Sequence, residues 1–159
     1  MKKLVLIFGL LCSVYCHSDN NGALSEIHHI NKNLSVEEVN QIYDFETKYA
    51  KQYDIPVAIG LSISAKESTF KSNAVSGSKQ SIGIKQINYK VWKKELNLTK
   101  ECLKSTECNI KHGYIILKYY VDINKGDINK ALMNYRGSTN PKTNRKYAQD
   151  VLKWSKHFT

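Results

Sequence analysis

Apolar side chains recur at helical spacing along most of this chain of 159 residues. A first helix is predicted from Ser35 to about Asp54, since Ser35 and Glu38 form a capping box ahead of an apolar stripe. Pro56 suits the first turn of a second helix. Residues 72–82 lack periodicity, and strand-like alternation is sparse. The pattern predicts a mainly α single domain with a small irregular β-hairpin in that loop, and further helices at about 89–96, 109–124, 128–135 and around Tyr147 to Phe158.

One carboxylate lies on the apolar side of the second helix. Ile59, Ile63 and Glu67 recur every four residues, and Phe70 follows three residues later. Burial and the negative end of the helix dipole both disfavour a charged carboxylate, so the pKa of Glu67 is predicted to rise towards the range useful for general acid catalysis. The alternative is a solvent-exposed pair with Lys71, contributing only about 0.3–0.5 kcal/mol.

Three short motifs follow in order. Glu67-Ser68-Thr69-Phe70 leads through Ala74 to Ser76, residues 82–87 read IGIKQI, and residues 131–138 read ALMNYRGS. They resemble the motifs Glu-Ser-x-Phe-x-x-x-Ala-x-Ser, Gly-Leu-Met-Gln-Ile and Ala-Leu-x-x-Tyr-Asn-x-Gly of the SLT-type lytic transglycosylase family, whose fold is goose-lysozyme-like. With the surrounding helices, the resemblance extends from about Gln41 to Phe158. It implies a lysozyme-like transglycosylase domain, which we place at residues 19–159.

The resemblance also implies a mechanism with Glu67 as the sole general acid and base. Protonated Glu67 gives its proton to the oxygen between N-acetylmuramic acid and N-acetylglucosamine. As a carboxylate it then takes the proton of the muramoyl C6 hydroxyl, which attacks C1 and leaves a 1,6-anhydromuramoyl end. This chemistry requires no cofactor and no metal.

Four residues match family positions that line the sugar groove, and their hydroxyl and amide groups suit acetamides and ring hydroxyls. By resemblance the Tyr135 phenol is expected to orient Glu67 or the glycan. The expected substrate-binding residues are Ser76, Gln86, Asn88 and Tyr135.

The sequence departs from the family pattern in the second and third motifs. The interval from Ser76 to Gly83 is one residue longer than usual, and Gln80-Ser81 replaces the customary Gly-Ala. Lys85 stands in place of Met and Arg136 in place of Asn. One hypothesis is that Lys85 and Arg136 contact the anionic peptide stem of the substrate.

Glu46 is a second acid on an apolar face, four residues after Ile42 and three before Tyr49. Cleavage of a glycosidic bond commonly uses two carboxylates, so Glu46 is a candidate for a second functional acid. The alternative is that its carboxylate points past the edge of the core.

The first 18 residues have the pattern of a secretory signal peptide, with two lysines before a short apolar run. Cleavage is predicted near residues 16–18, either after Cys16 or after Ser18. The protein is therefore expected to be exported to the periplasm as a monomer without a stable membrane span. Lipid anchoring is disfavoured because neither Cys12 nor Cys16 follows the small residues of a lipoprotein signal.

Removal of this leader leaves two cysteines, Cys102 and Cys108, which in an oxidising compartment are expected to form a disulfide. The alternatives are free thiols and a metal site that adds His112. No fourth ligand with zinc-like spacing accompanies that set, so no metal is expected.

The charge leaves more than one class of partner open. The chain has a formal charge of +10, or +8 with 22 basic and 14 acidic residues once the leader is removed. A basic surface favours any polyanion, and charge alone does not choose among polyanions. No nucleic-acid-binding motif accompanies the charge, and the resemblance implies that the partner is the peptidoglycan glycan strand. In size the protein resembles the small specialised members of that family, which implies that it opens the wall locally for a secretion or conjugation apparatus or for surface appendages. A water-using muramidase and a non-catalytic wall-binding module are the alternatives.

Overall fold

The computed structural model describes residues 21–159, and the predicted signal peptide lies outside that range. These residues form eight α-helices, a two-stranded antiparallel sheet and a final 3-10 turn. In chain order they are α1 (Asn21–Ile30), α2 (Val36–Tyr53), α3 (Val57–Ser68), β1 (Ser81–Ile82), β2 (Ile87–Asn88), α4 (Tyr89–Trp92), α5 (Lys100–Lys104), α6 (Thr106–Ile123), α7 (Ile128–Arg136), α8 (Pro141–Trp154) and the 3-10 turn Ser155–His157.

The predicted mainly α fold with a small hairpin is confirmed. Helix α2 begins at the predicted capping box, where Ser35 accepts from the Glu38 amide and Glu38 from the Ser35 amide. It ends where Asp54 adopts a left-handed conformation. Two helices were not predicted. Helix α5 has only five residues, too few for a periodic pattern, and α1 lies between the leader and the capping box.

Helix α3 is the central element of the fold. Every residue from Ala58 to Ala65 is buried, because α2 and α8 pack against α3. A second, smaller apolar cluster lies under the hairpin and includes Ile82, Ile87 and Leu103. No helix among residues 21–159 is both long enough and apolar enough to cross a membrane.

Asn109, near the start of α6, holds the segment that joins β1 to β2. Its amide group donates to the carbonyls of Ile82 at 2.9 Å and Leu103 at 2.8 Å, and its carbonyl accepts from the Lys85 amide at 2.8 Å. The side chain is buried, so each of these bonds satisfies a group that water does not reach. The hairpin is thereby fixed against α5 and α6.

Lys85 leaves that segment and passes into the core, where it meets Glu46 of α2. Its Nζ lies 2.8 Å from Oε1 and 2.9 Å from Oε2 of Glu46, and it donates to the Gly60 carbonyl at 2.6 Å. The two side chains are 2% and 0% exposed. Ser64 donates to Glu46 Oε1 at 2.6 Å. This pair joins α2, α3 and the hairpin segment at one buried point.

Two sequence-based hypotheses are therefore wrong. Lys85 does not reach a peptide stem, because its side chain is buried and forms an ion pair with Glu46. Glu46 is not a second acid facing a substrate, and its carboxylate does not point past the edge of the core. The apolar spacing around Glu46 indicates that the residue is buried, but it does not indicate that Glu46 pairs with Lys85, which is 39 positions away.

Two glycines make room for this pair. A Cβ at Gly60 would overlap the Tyr114 hydroxyl and the Glu46 carboxylate, and a Cβ at Gly113 would come within 2.7 Å of the Lys85 stem. Both glycines lie within helices, so they are needed because neighbouring side chains pack directly against the helix backbone, and not because the backbone requires an unusual φ. Larger residues would push the ion pair out of its hydrogen-bonding geometry.

Replacing Lys85 with Met should lower the free energy of unfolding by about 3–5 kcal/mol, because Glu46 is then a buried charge without its counter-ion. Adding Glu46→Gln should recover most of that loss, since no charge stays buried and the amide still offers Ser64 an acceptor. Urea unfolding followed by circular dichroism measures both. Lys94→Met, at an exposed position, serves as the control and should change stability by less than about 0.5 kcal/mol. Equal losses in the single and double variants would contradict the coupling.

Candidate functional site

A cleft of about 470 Å³ opens between the end of α3, the hairpin and α7. Its wall is largely polar, with hydroxyl, amide, phenol and cationic groups contributed by segments far apart in the sequence. The lining residues are Lys66, Glu67, Ser76, Ser81, Gln86, Ile87, Asn88, Trp92, Ile116, Tyr135, Arg136, Gly137 and Tyr147.

Glu67 lies in the last turn of α3 and is the one acidic residue among those that line this cleft. The helix ends because Thr69 and Phe70 both adopt positive φ, at 50° and 61°. Phe70 then turns into the core and packs edge-on against Phe158 with ring centroids 6.2 Å apart. The turn leaves Glu67 partly buried at the cleft wall. The alternative, an exposed pair with Lys71, is absent from the ion pairs of the described residues.

Burial raises the pKa of Glu67 above its ordinary value, as its position predicts. The Tyr147 hydroxyl and the positive charges of Arg136, Lys66 and Lys85 act in the opposite direction. Arg136 is exposed at the cleft rim, whereas Lys85 acts from the core and is already paired with Glu46. Desolvation is the largest of these effects, so the carboxyl keeps its proton to higher pH than a solvated glutamate.

The structure brings Ser76, Gln86 and Asn88 to the same cleft as Glu67. Gln86 is held by its amide group, which donates to the Gly83 carbonyl at 2.9 Å and the Ala74 carbonyl at 3.2 Å. Ser76 accepts from the Ser81 amide at 3.1 Å, and Asn88 caps α4 by accepting from the Val91 amide at 3.3 Å. Each side chain therefore has a local backbone partner as well as a surface on the cleft.

Tyr135 also lines the cleft, but its hydroxyl is not directed at Glu67 by a hydrogen bond. It donates to the Lys85 carbonyl at 3.1 Å. Burial is the main cause that holds the pKa of Tyr135 well above its ordinary value, so the phenol is neutral. Tyr135 thus joins α7 to the hairpin segment and presents its ring to the cleft.

Tyr147 of α8 is a site residue that sequence reasoning missed. Its hydroxyl is buried and has no partner within hydrogen-bonding geometry among the described residues, yet it is close enough to lower the pKa of Glu67. The Tyr147 hydroxyl therefore lies close to the Glu67 carboxyl. Burial raises the pKa of Tyr147 well above its ordinary value, so it can donate. Its helical spacing with Val151 marks only a core position, and no sequence signal places its hydroxyl beside Glu67.

Cys102 and Cys108 are joined in a disulfide that links α5 to the first turn of α6. His112 lies beside them, with Nδ1 at 2.8 Å from the Cys108 carbonyl, to which it can donate. These three side chains form the one potential metal-ligand group found among residues 21–159. The disulfide occupies two of the three ligand atoms, so this arrangement braces the α5–α6 connection and leaves no complete metal site.

The site therefore has a defined chemical capacity. One partly buried carboxyl can give a proton and take one back, and neutral tyrosines flank it. The amides and hydroxyls of the hairpin can bind a polar, uncharged ligand such as a sugar. A second carboxylate for a nucleophile or a water-activating base is not among the lining residues.

Comparison with known proteins gives a family match. The family model described as Transglycosylase SLT domain matches residues 44–157, which include α3, the hairpin and α7. A similar protein is the "Uncharacterized 20.7 kDa protein in vs-regB intergenic region" of Enterobacteria phage T4, which is 35% identical over 69 residues. That match covers 43% of this chain and 36% of the phage protein.

Replacing Arg136 with Gln should raise the pKa of Glu67 further, because the guanidinium favours the carboxylate. NMR titration of the 13C-labelled side-chain carboxyl measures this pKa directly. The difference from the unmodified protein should shrink at high salt, since Arg136 is exposed. Lys153→Gln removes a charge from α8 outside the cleft and should leave the pKa unchanged. An unchanged pKa in Arg136→Gln would show that the guanidinium does not act on Glu67, and a lowered pKa would contradict the sign of the expected effect.

Proposed function

The chain belongs to the family described as Transglycosylase SLT domain, and on that premise we propose that it is a peptidoglycan lytic transglycosylase with Glu67 as its sole general acid and base. Family membership indicates a transglycosylase-type enzyme that binds peptidoglycan. The proposal adds the bond and the product: cleavage between N-acetylmuramic acid and N-acetylglucosamine with formation of a 1,6-anhydromuramoyl end.

The observation that carries this proposal is that Glu67 is the one acidic residue among the residues that line the cleft. A hydrolase that uses two carboxylates needs them on both sides of the scissile bond, about 5–10 Å apart. Glu67 is the one carboxylate among the lining residues of the cleft, and Glu46 is buried in the core in an ion pair with Lys85. A single acid is sufficient if the substrate supplies its own nucleophile, as the muramoyl C6 hydroxyl does.

In the first step Glu67 acts as the general acid. Burial keeps its carboxyl protonated at a pH where a solvated glutamate would be ionised. The proton passes to the glycosidic oxygen as the bond to the muramoyl C1 breaks. Positive charge then develops on the sugar ring, and the carboxylate left behind is the nearest negative group among the lining residues of the cleft.

In the second step the Glu67 carboxylate acts as the base. It takes the proton of the C6 hydroxyl while that oxygen attacks C1 of the same sugar. The attack is intramolecular, so it gains from a high effective concentration and consumes no water. Tyr147 assists because its free hydroxyl can donate to the carboxylate at this stage and release it when Glu67 is again protonated. Glu67 ends in the state in which it began.

The substrate-binding roles proposed for the hairpin follow from the groups it offers. Gln86 is fixed by two backbone carbonyls through its nitrogen, which leaves the amide oxygen as the acceptor on offer. Ser76 and Asn88 supply further hydroxyl and amide groups. Tyr135 and Trp92 supply ring faces on which a sugar can pack.

We also propose that this reaction takes place outside the cytoplasmic membrane, in the periplasm, as part of local wall opening for a secretion or conjugation apparatus. Two features support this setting. The first residues have the pattern of a signal peptide, and the disulfide between Cys102 and Cys108 is typical of an oxidising compartment.

Glu67→Gln should fold normally and lose about 10²–10⁴-fold in the rate of muropeptide release from purified sacculi, because the amide can neither give nor take the proton. Mass spectrometry of the wild-type products should show ends lighter by one water than those of a hydrolase. The exposed Glu95 gives a matched control, and Glu95→Gln should digest sacculi at the wild-type rate.

Three outcomes would contradict the proposal. Undiminished digestion by Glu67→Gln would remove the catalytic role of that residue. Products heavier by one water would indicate a muramidase. Sacculus binding by the wild-type protein without any product would indicate a wall-binding module that lacks turnover.

A further inference from the structure

A second groove adjoins the cleft on the side of α7 and α8. It has a volume of about 340 Å³ and is rich in positive charge, with four cationic side chains and one acid. We refer to it as the basic groove, defined by Lys66, Arg136, Lys142, Thr143, Lys146, Tyr147 and Asp150.

The charges of the basic groove are not balanced within it. Asp150 is shared by Lys66 at 2.7 Å and Lys146 at 3.2 Å. Arg136 and Lys142 take part in no ion pair or hydrogen bond of their side chains among the described residues. The groove thus offers a guanidinium and an ammonium that are free to bind an anion, while the single acid is occupied.

The basic groove is continuous with the cleft. Lys66, Arg136 and Tyr147 line both, and Lys66 directly precedes Glu67 in the last turn of α3. Tyr147 lies between the two, with a buried hydroxyl that lacks a partner among the described residues. A ligand that fills the cleft therefore lies beside residues that also line the basic groove.

We propose that the basic groove binds the carboxylates of the peptide stem and so makes the peptide-substituted glycan, rather than the bare glycan, the preferred substrate. This inference rests on the proposed function. In peptidoglycan the stem is attached to the muramoyl sugar, the same sugar whose C1 must lie beside Glu67. The stem, which carries carboxylates, therefore branches from the glycan next to the reacting bond, and the basic groove begins at that point of the cleft.

The chemistry of the groove suits a carboxylate. A guanidinium offers a planar fork of donors that matches the two oxygens of a carboxylate, and an ammonium adds a flexible point charge. The sugar cleft has hydroxyls and amides instead, which recognise neutral groups. The cleft thus suits the neutral glycan chain of the substrate, and the basic groove suits its anionic peptide branch.

Lys142→Gln/Lys146→Gln tests this assignment without touching a residue that lines the catalytic cleft. With stemmed glycan strands as substrate, KM should rise about 5–30-fold while kcat stays within a factor of two, because the free Lys142 ammonium is lost and Asp150 keeps only Lys66 as its cationic partner. With the same strands after an amidase has removed the stems, KM should match that of the wild-type protein. The effect on stemmed strands should fade at high salt.

Lys153→Gln/Lys156→Gln is the matched control, because it removes two charges from the end of the same helix and the following turn outside both surfaces. Its KM for stemmed strands should be unchanged. An equal rise in this control, or an equal rise on bare strands, would show general attraction to a polyanion and overturn the inference. Failure of the wild-type protein to digest either substrate would instead refute the proposed function.

Discussion

The fold depends on one buried interaction, the ion pair between Lys85 and Glu46. Two charges are taken fully out of water at the junction of α2, α3 and the hairpin segment. Such a pair is tolerable only when every polar group has a partner, and here Ser64 and the Gly60 carbonyl complete the set. The pair thereby determines how close these elements approach, and the hairpin that carries Gln86 and Asn88 is held in place against the helix that carries Glu67.

The catalytic proposal follows from where α3 stops. Two successive residues with positive φ end the helix, so the chain turns away and leaves Glu67 at the edge of the cleft, where burial raises its pKa. Other bonds keep the hairpin beside it. Ser68 donates to the Ile84 carbonyl at 2.8 Å, and Tyr135 donates to the Lys85 carbonyl. Glu67 and the amide groups of the hairpin are thus held near each other by hydrogen bonds between segments 16 and 50 positions apart in the sequence.

The departures from the family motifs divide into two physical outcomes. Lys85 turns inwards and becomes part of the core, where its charge requires Glu46. Arg136 stays at the surface, where its charge acts on Glu67 and on the basic groove. Two cations that look alike in the sequence therefore act in different ways, because one segment faces the core and the other ends at the cleft rim.

Spacing and side-chain type along the chain were enough to predict the helical architecture, the capping box at Ser35 and Glu38, and the position of Glu67 at the end of an apolar stripe, because these are local properties. By resemblance to the family motifs it also predicted that Ser76, Gln86, Asn88 and Tyr135 bind the substrate; all four line the cleft with Glu67, and their binding role stays a prediction. The three-dimensional fold was needed to see that Lys85 pairs with Glu46, that Glu46 is fully buried and that Tyr147 lies in the same cleft as Glu67. These features depend on contacts between residues 18 or more positions apart, and a pattern read along one helix shows that a side chain is buried but not what it meets.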